Sequence, residues 1–236
     1  MPATPPSVPA LVSQLRADER ALRTATGSAF VAVARDRQVL IRAVGREPKR
    51  AAAIMKLAPS ERDDLAARLD LERLSAQSPP QVGGVTVGPA RHADTLLSFY
   101  LEAQSRFGIR WQLLAAINFV ESDFGRARTT ARADAQGPMQ FEPATWQRYG
   151  LGGDVYSAHD SILAAANLLA ANGGRSDERT ALAHYNRSPL YRDAVLHLAH
   201  RMTTVPTGFR EYYAWKLYLK ARRTPSTSSS PTSPDP

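Results

Sequence analysis

Glu121 is the residue of this chain best placed to do chemistry. It closes a strongly apolar run, Trp111, Leu113, Leu114, Ala116, Ile117, Phe119 and Val120, which reads as a helix driving into a core. The last residue of such a helix sits at the core's edge, where a carboxylate is poorly solvated and the negative end of the helix dipole lies close. Both effects favour the protonated form. A carboxyl that stays protonated near neutral pH is what a general acid requires. Position alone favours a solvated helix-terminal Glu, and the residues downstream reverse that reading.

Those residues are Glu121-Ser122-Asp123-Phe124-Gly125, then Gly137-Pro138-Met139-Gln140-Phe141 with Pro143-Ala144-Thr145-Trp146, and later His184-Tyr185-Asn186. In this order and spacing they resemble the lytic transglycosylases, most closely the soluble-type and membrane-bound B-type domains with a lysozyme-like helical fold (the SLT domain). The likeness covers about residues 93–202. Each piece alone is weak, and four in order are specific. The resemblance implies an enzyme that cleaves the β-1,4 bond between N-acetylmuramic acid and N-acetylglucosamine in peptidoglycan. Glu121 would protonate the linking oxygen, then take a proton from the muramyl C6 hydroxyl, which closes onto C1 and leaves a 1,6-anhydro end. The substrate's own acetamido carbonyl can assist. Ordinary glycosidases need two carboxylates, and this motif set supplies one obvious acid.

The same resemblance assigns substrate-binding roles to Ser122, Thr130, Met139, Gln140, Phe141, Tyr185 and Asn186. Tyr185 would bring its phenol near Glu121 or the charge developing on the sugar, and the amides of Gln140 and Asn186 suit acetamido and hydroxyl groups. Met139 and Phe141 would wall the sugar faces, although without the resemblance they read as ordinary core. Ser122 is expected to tie down the loop after the helix through backbone hydrogen bonds. Gly125 and Gly137 read as loop glycines.

The chain departs from the family pattern inside the loop. Counting back from Gly137, the family commonly has a serine six residues earlier and a glycine three earlier; here Ala131 and Asp134 stand there, with Thr130 beside the first. Thr130 is a candidate to replace the serine hydroxyl. Asp134 is a possible second carboxylate, able to position a water and turn the reaction into hydrolysis, as in goose-type lysozymes. Asp123 is a poorer candidate, because two residues along a helix point to nearly opposite faces. The alternatives to transglycosylation are therefore a muramidase of the same fold or a non-catalytic glycan-binding module, though a binding module has no need of the acid.

Composition narrows the remaining classes. The chain of 236 residues carries a formal net charge of +8, yet only four of its thirty basic residues are Lys. Such an Arg excess reads as coding bias or as attraction to a polyanion. With no cysteine, a disulfide framework, a thiolate metal site and a thiol nucleophile are all excluded. His197 and His200 lie three apart on a helix but lack a third ligand or a His-Glu-x-x-His pattern, so no metal is expected. Gly150-Leu151-Gly152-Gly153 follows a helix and lacks the P-loop Lys; it is a turn. The basic stretch Arg35, Arg37, Arg42, Arg46, Lys49 and Arg50 has no aromatic residue to stack a base, so it reads as a solvated or wall-facing patch and no nucleic acid is expected. No cofactor is implied. The expected partner is the glycan strand of peptidoglycan, with the protein a monomer.

The elements that must position this chemistry are helical. The expected fold class is mainly α, a lysozyme-like transglycosylase domain over 91–222 preceded by a smaller helical region over 11–76. A Pro-rich spacer at 1–10, a linker at 77–90 and a Ser/Thr/Pro tail at 223–236, expected to be disordered, complete the division. Ser60 with Asp63 resembles a capping start, after which Leu65, Leu69, Leu71 and Leu74 form one stripe. Residues 29–41 fit strands or buried helix turns; a helical hairpin is preferred. Gly108 ends one helix, Pro143 starts a short one, Asp160 caps the next and Ser188-Pro189 opens another. Phe209, Tyr212, Tyr213, Trp215 and Tyr218 form an aromatic helix. No stretch approaches the ~20 apolar residues of a membrane span, and no signal peptide is recognisable at the N-terminus. An enzyme of peptidoglycan nevertheless acts outside the cytoplasm, at the cell wall or surface. That expectation calls for a missing upstream anchor or another route of export.

Overall fold

The computed structural model describes residues 6–77, 85–129 and 135–217. Thr130, Asp134, Tyr218, the tail from 223, residues 1–5 of the expected spacer and residues 78–84 of the expected linker fall outside them.

The fold is mainly α. Four N-terminal helices come first: α1 (Val8–Thr24), α2 (Gly27–Val44), α3 (Pro48–Leu57) and, after a 3₁₀ turn over Pro59–Glu61, α4 (Arg62–Gln77). Then follow α5 (Ala93–Phe107), α6 (Trp111–Ser122), α7 (Pro143–Tyr149), α8 (Ala158–Ala171), α9 (Glu178–Tyr185), α10 (Pro189–Thr204) and α11 (Gly208–Ala214). Two short strands, β1 (Val85–Val87) and β2 (Ala127–Thr129), pair antiparallel with Thr86 opposite Arg128. So the end of the segment expected as linker is tied by backbone hydrogen bonds to the loop after α6.

The helix starts follow capping chemistry. The hydroxyls of Ser7, Ser157 and Ser188 accept amide N–H groups of the first turns of α1, α8 and α10, and Asp177 does the same for α9. Two expectations are corrected. Asp160 lies inside the first turn of α8, where its carboxylate accepts the Asp154 N–H at 3.0 Å; Ser157 is the cap. Ser60 sits in the 3₁₀ turn and donates to Glu61 at 3.3 Å, because Pro59 begins the turn one residue too early for a capping box. Residues 29–41 belong wholly to α2, which packs on α1.

Helix α10 lies against both α4 and α6, and α5 packs on α6 and α8. The N-terminal helices thus share a core with the helix that carries Glu121. At that junction lies a buried ionic cluster. Arg37 of α2, fully buried, reaches Glu61 at 2.6 Å, Asp64 at 2.5 Å and Glu211 at 2.7 Å. Arg201 of α10 meets Glu19 at 2.7 Å and Glu211 at 3.2 Å, and the Tyr212 hydroxyl donates to Asp64. Arg37 therefore leaves the solvated patch in which its neighbours in sequence placed it. The face of α2 that buries Phe30, Ala34, Ile41 and Val44 carries it inward to carboxylates that only the tertiary fold supplies. Burial raises the pKa of Asp64, but Arg201 and Arg37 outweigh it and hold the carboxyl below its ordinary value. At Glu211 burial wins, and its pKa is raised.

His197 and His200 grip one carboxylate, Asp63 of α4, at 2.9 and 2.6 Å. Their work is to fasten α10 to α4. The aromatic segment packs back on the fold: Phe209 meets Tyr100, Trp111 and Phe124 edge-on, and Tyr212 stacks on Phe119 with ring centroids 5.2 Å apart. Helix α11 stops at Ala214, and Trp215 follows it as a buried cap. Among the described residues no helix is long and apolar enough to cross a membrane.

Candidate active site

Helix α6 buries Leu113 through Asn118 and emerges at Glu121, which is half-buried. Burial pushes the Glu121 carboxyl up to about 7, against a smaller opposing pull from the Tyr191 hydroxyl. That hydroxyl donates to Glu121 Oε1 at 2.6 Å. Tyr191 lies in the first turn of α10, and its ring stacks on that of Tyr185 at 6.4 Å and 7°. Tyr185, expected near the acid or the charge developing on the sugar, is close enough to Glu121 for that charge to add to burial in raising its phenol, and it donates its hydroxyl to the Met139 carbonyl at 2.5 Å.

The Gly137–Phe141 turn is held by its backbone. Gln136 and Phe141 exchange both amide hydrogen bonds at 2.9 Å, closing a tight loop. The Pro138 carbonyl accepts from Ser122 Oγ at 2.5 Å and from Asn118 Nδ2 at 2.9 Å, both on α6. Ser122 Oγ in turn accepts the Gly125 N–H at 2.8 Å. One hydroxyl therefore bridges the loop after α6 to the turn, and the Tyr185 phenol fastens the next carbonyl to α9. Ser122, the Gly137–Phe141 turn and Tyr185 are thus parts of one hydrogen-bonded unit. Gly137 has φ +70°, and a Cβ there would lie 1.8 Å from the Val155 carbonyl oxygen, so only glycine fits.

Of the other expected site residues, Met139 and Phe141 are buried, at 0% and 3% exposure. Phe141 packs edge-on to Trp146 and Tyr185. In this structure they support the turn from behind. Gln140 Nε2 donates to the Gly137 carbonyl at 2.8 Å, and the residue lines a cavity of about 730 Å³ with Gly125, Pro138 and His92. The half-buried Asn186 accepts the Ser188 N–H at 2.9 Å, which shapes the entry to α10. Thr130 and Asp134 lie outside the described residues.

Glu121 does not border that large cavity. It opens on a second one, of about 220 Å³, together with Ser122 and Asp123. Because α6 ends at Ser122 and Asp123 turns left-handed at φ +50°, Asp123 is not held on the opposite helix face, and the geometric objection to it fails. Burial pushes its carboxyl up to about 6, with Arg126, at 3.3 Å, pulling the other way.

Two partners of Glu121 escaped the sequence. Tyr191 belongs to no motif quoted above, although its place in the first turn of a helix opened by Ser188-Pro189 was legible. The opposite wall of the cavity comes from α2 and α4, far away in the chain, and no local signal marks it.

Residues 98–193, less than half of the chain, match the family model described as the Transglycosylase SLT domain. The segment holds Glu121, the Gly137–Phe141 turn, Tyr185 and Tyr191, so the resemblance drawn from the motifs holds over this region. Among curated proteins, the chain is similar to a membrane-bound lytic murein transglycosylase F from Thiobacillus denitrificans, with 39% identity over 82 residues. That alignment covers 35% of this chain and 17% of the relative. No solved structure matches the chain significantly.

Proposed function

We propose that the chain is a peptidoglycan lytic transglycosylase acting outside the cytoplasm on glycan strands. One observation carries this: the Glu121 carboxyl, in the segment that matches the SLT domain, is raised to about 7 and borders a cavity. Glu121 then gives its proton to the oxygen leaving muramyl C1. The C1–O bond breaks, the muramyl C6 oxygen bonds to C1, and the C6 hydroxyl proton passes to Glu121. No water is consumed, and the acid is regenerated. Ser122 and Tyr185 fix the Gly137–Phe141 turn, with Met139 and Phe141 packed behind it, Gln140 lines the larger cavity beside the turn, and Asn186 shapes the entry to the helix that carries Tyr191. Tyr191 steadies the carboxylate in the moment it exists. In this division of labour residues 91–222 are the catalytic unit and 11–76 the region that buttresses it.

One observation favours hydrolysis as a second outcome. Asp123 shares the cavity of Glu121, and one of its carboxylate oxygens is buried without a protein partner. Mass spectrometry of digested sacculi separates the cases. Anhydromuramyl ends support the transglycosylase. Reducing ends mean hydrolysis and make Asp123 and Asp134 the residues to change. No soluble product from folded protein that still binds sacculi leaves a glycan-binding module.

Tyr191→Phe tests the partner that motif reading missed. A hydrogen bond to a charged group contributes about 1.5–3 kcal/mol, so kcat should fall at least about tenfold, with KM changing less. Because the lost hydroxyl favoured the ionised carboxyl, the alkaline limb of the pH–rate profile should move to higher pH. A profile that stays in place would show that Tyr191 does not act through Glu121.

A further inference from the structure

The cavity on which Glu121 opens is built only in part by the matched segment. Its far wall is Arg42 of α2, Arg68 and Leu71 of α4, and Trp215 with Lys216 beyond α11. All of these lie outside residues 98–193. At about 220 Å³ the space is smaller than the roughly 300–1,000 Å³ of a typical ligand pocket. It suits a short side group of a larger substrate and not a sugar chain.

That wall carries three cationic side chains, Arg42, Arg68 and Lys216, and one carboxylate, Asp64, which Arg37 and Arg201 already hold. Arg68 pairs with Glu72, and Arg46 stands 3.8 Å from the same carboxylate. The Arg68 side chain is only 16% exposed, and its Nε is buried without a hydrogen-bond acceptor. Burial, with Arg42 and Arg46 adding to it, lowers the Arg68 guanidinium to about 10. Here burial and the charges of Arg42 and Arg46 outweigh the pairing with Glu72, so further negative charge beside Arg68 is favoured. A carboxylate entering the cavity would bring that negative charge beside Arg42, Arg68 and Lys216, which all line it.

We propose that this cavity binds a carboxylate on the 3-O substituent of the muramic acid whose C1 bond Glu121 addresses, with Arg68 as its hydrogen-bonding partner and Arg42 and Lys216 flanking it. The proposal rests on the glycan-cleaving function above. The two sugars of the strand differ in this respect: N-acetylglucosamine has no carboxylate, whereas the muramyl lactyl group carries one, either free or capped by a peptide with carboxylates of its own. A cationic pocket beside the acid therefore sets the register of the strand, bringing the muramyl linkage to Glu121. It also gives the N-terminal helices a task in recognition.

The test measures binding in a Glu121→Gln background, so that strands stay intact. Three ligands of equal length are titrated by calorimetry: strands bearing peptide stems, strands trimmed by an amidase to free lactyl groups, and a chitooligosaccharide. Adding Arg68→Gln should weaken binding of a carboxylate-bearing strand about tenfold and of the chitooligosaccharide less than about twofold, with Arg68→Lys recovering part of the loss. Loss on trimmed strands assigns the lactyl carboxylate; loss confined to stem-bearing strands assigns the peptide's. Equal loss on all three ligands, or no loss on any while binding persists, overturns the proposal. If Glu121→Gln binds none of them and the wild type cleaves no glycan, the proposed function fails and takes this site with it. Thermal melting monitors folding, and Arg42→Gln repeats the comparison from the other helix should Arg68→Gln unfold.

Discussion

Replacing Glu121 by Gln is expected to lower glycan cleavage by about 10²- to 10⁴-fold, the usual contribution of a general acid or base, without loss of the fold. Gln keeps the shape of the protonated carboxyl and can still accept from the Tyr191 hydroxyl, now 2.6 Å from the acid. What it lacks is the proton. The wild type should be most active where Glu121 is protonated, and its rate should fall as pH rises through about 7. Stability supplies an independent check. The folded carboxyl holds its proton more tightly than the ordinary value of 4.5, so the folded wild type binds more protons than the unfolded chain between those limits. Its stability therefore declines as pH climbs from about 4.5 to about 7, by up to about 1.4 kcal/mol per unit. The Gln variant has no such term. Melting curves across pH should show it gaining on the wild type through that window and holding a constant lead above it. Parallel curves would mean that Glu121 is ordinarily solvated, and its part as the acid would fall with them.

Much of this site was legible because its parts are local. The apolar run before Glu121 fixes a helix that ends at the core's edge. Ser122 lies one residue beyond the acid, where its hydroxyl can reach the preceding turn of α6, the loop that follows and what packs on it. Gly137 announces a turn that no other residue could make. Tyr185 was legible as a member of the site but not as to its partner, since the motif names residue types without saying which phenol reaches the carboxylate. Two tyrosines six residues apart stack face to face, and it is the second that does so. Arg37, Arg42 and Arg68 were beyond reach for a different reason. A basic residue on an amphipathic helix looks the same whether it faces water, a buried carboxylate or a ligand cavity. Only the packing of α2 and α4 against α10 and α6 separates the three. Asp123 shows how a correct rule misleads at a boundary: helical periodicity held to Ser122 and stopped there.

Removal of Arg37 should be the most damaging change outside the site. Truncation to Ala leaves Glu61 and Asp64, both buried, without the guanidinium that meets them at 2.6 and 2.5 Å. Breaking a buried pair in this way typically costs about 3–5 kcal/mol, which denaturant midpoints at constant m-value would register. Arg37 helps to hold the Asp64 carboxyl below its ordinary value, so without it Asp64 should take up a proton more readily and the deficit should shrink as pH falls. A second substitution separates pairing from mere packing. Once Arg37 is gone, Glu61→Leu removes a stranded charge, and Arg37→Met with Glu61→Leu should recover much of the loss, a coupling that a double-mutant cycle measures. Asp64 is left in place because Arg201 and Tyr212 also hold it. The consequence reaches the acid. Helices α2 and α4 are joined to α11 through this cluster, and they form the wall that faces Glu121 across its cavity. Under conditions where the Arg37→Ala protein remains folded, glycan affinity should therefore drop as the wall loosens, and it should return in the compensated pair. If Arg37→Ala costs less than about 1 kcal/mol, in the range of a surface pair, the cluster does not hold the N-terminal helices against α10 and α11.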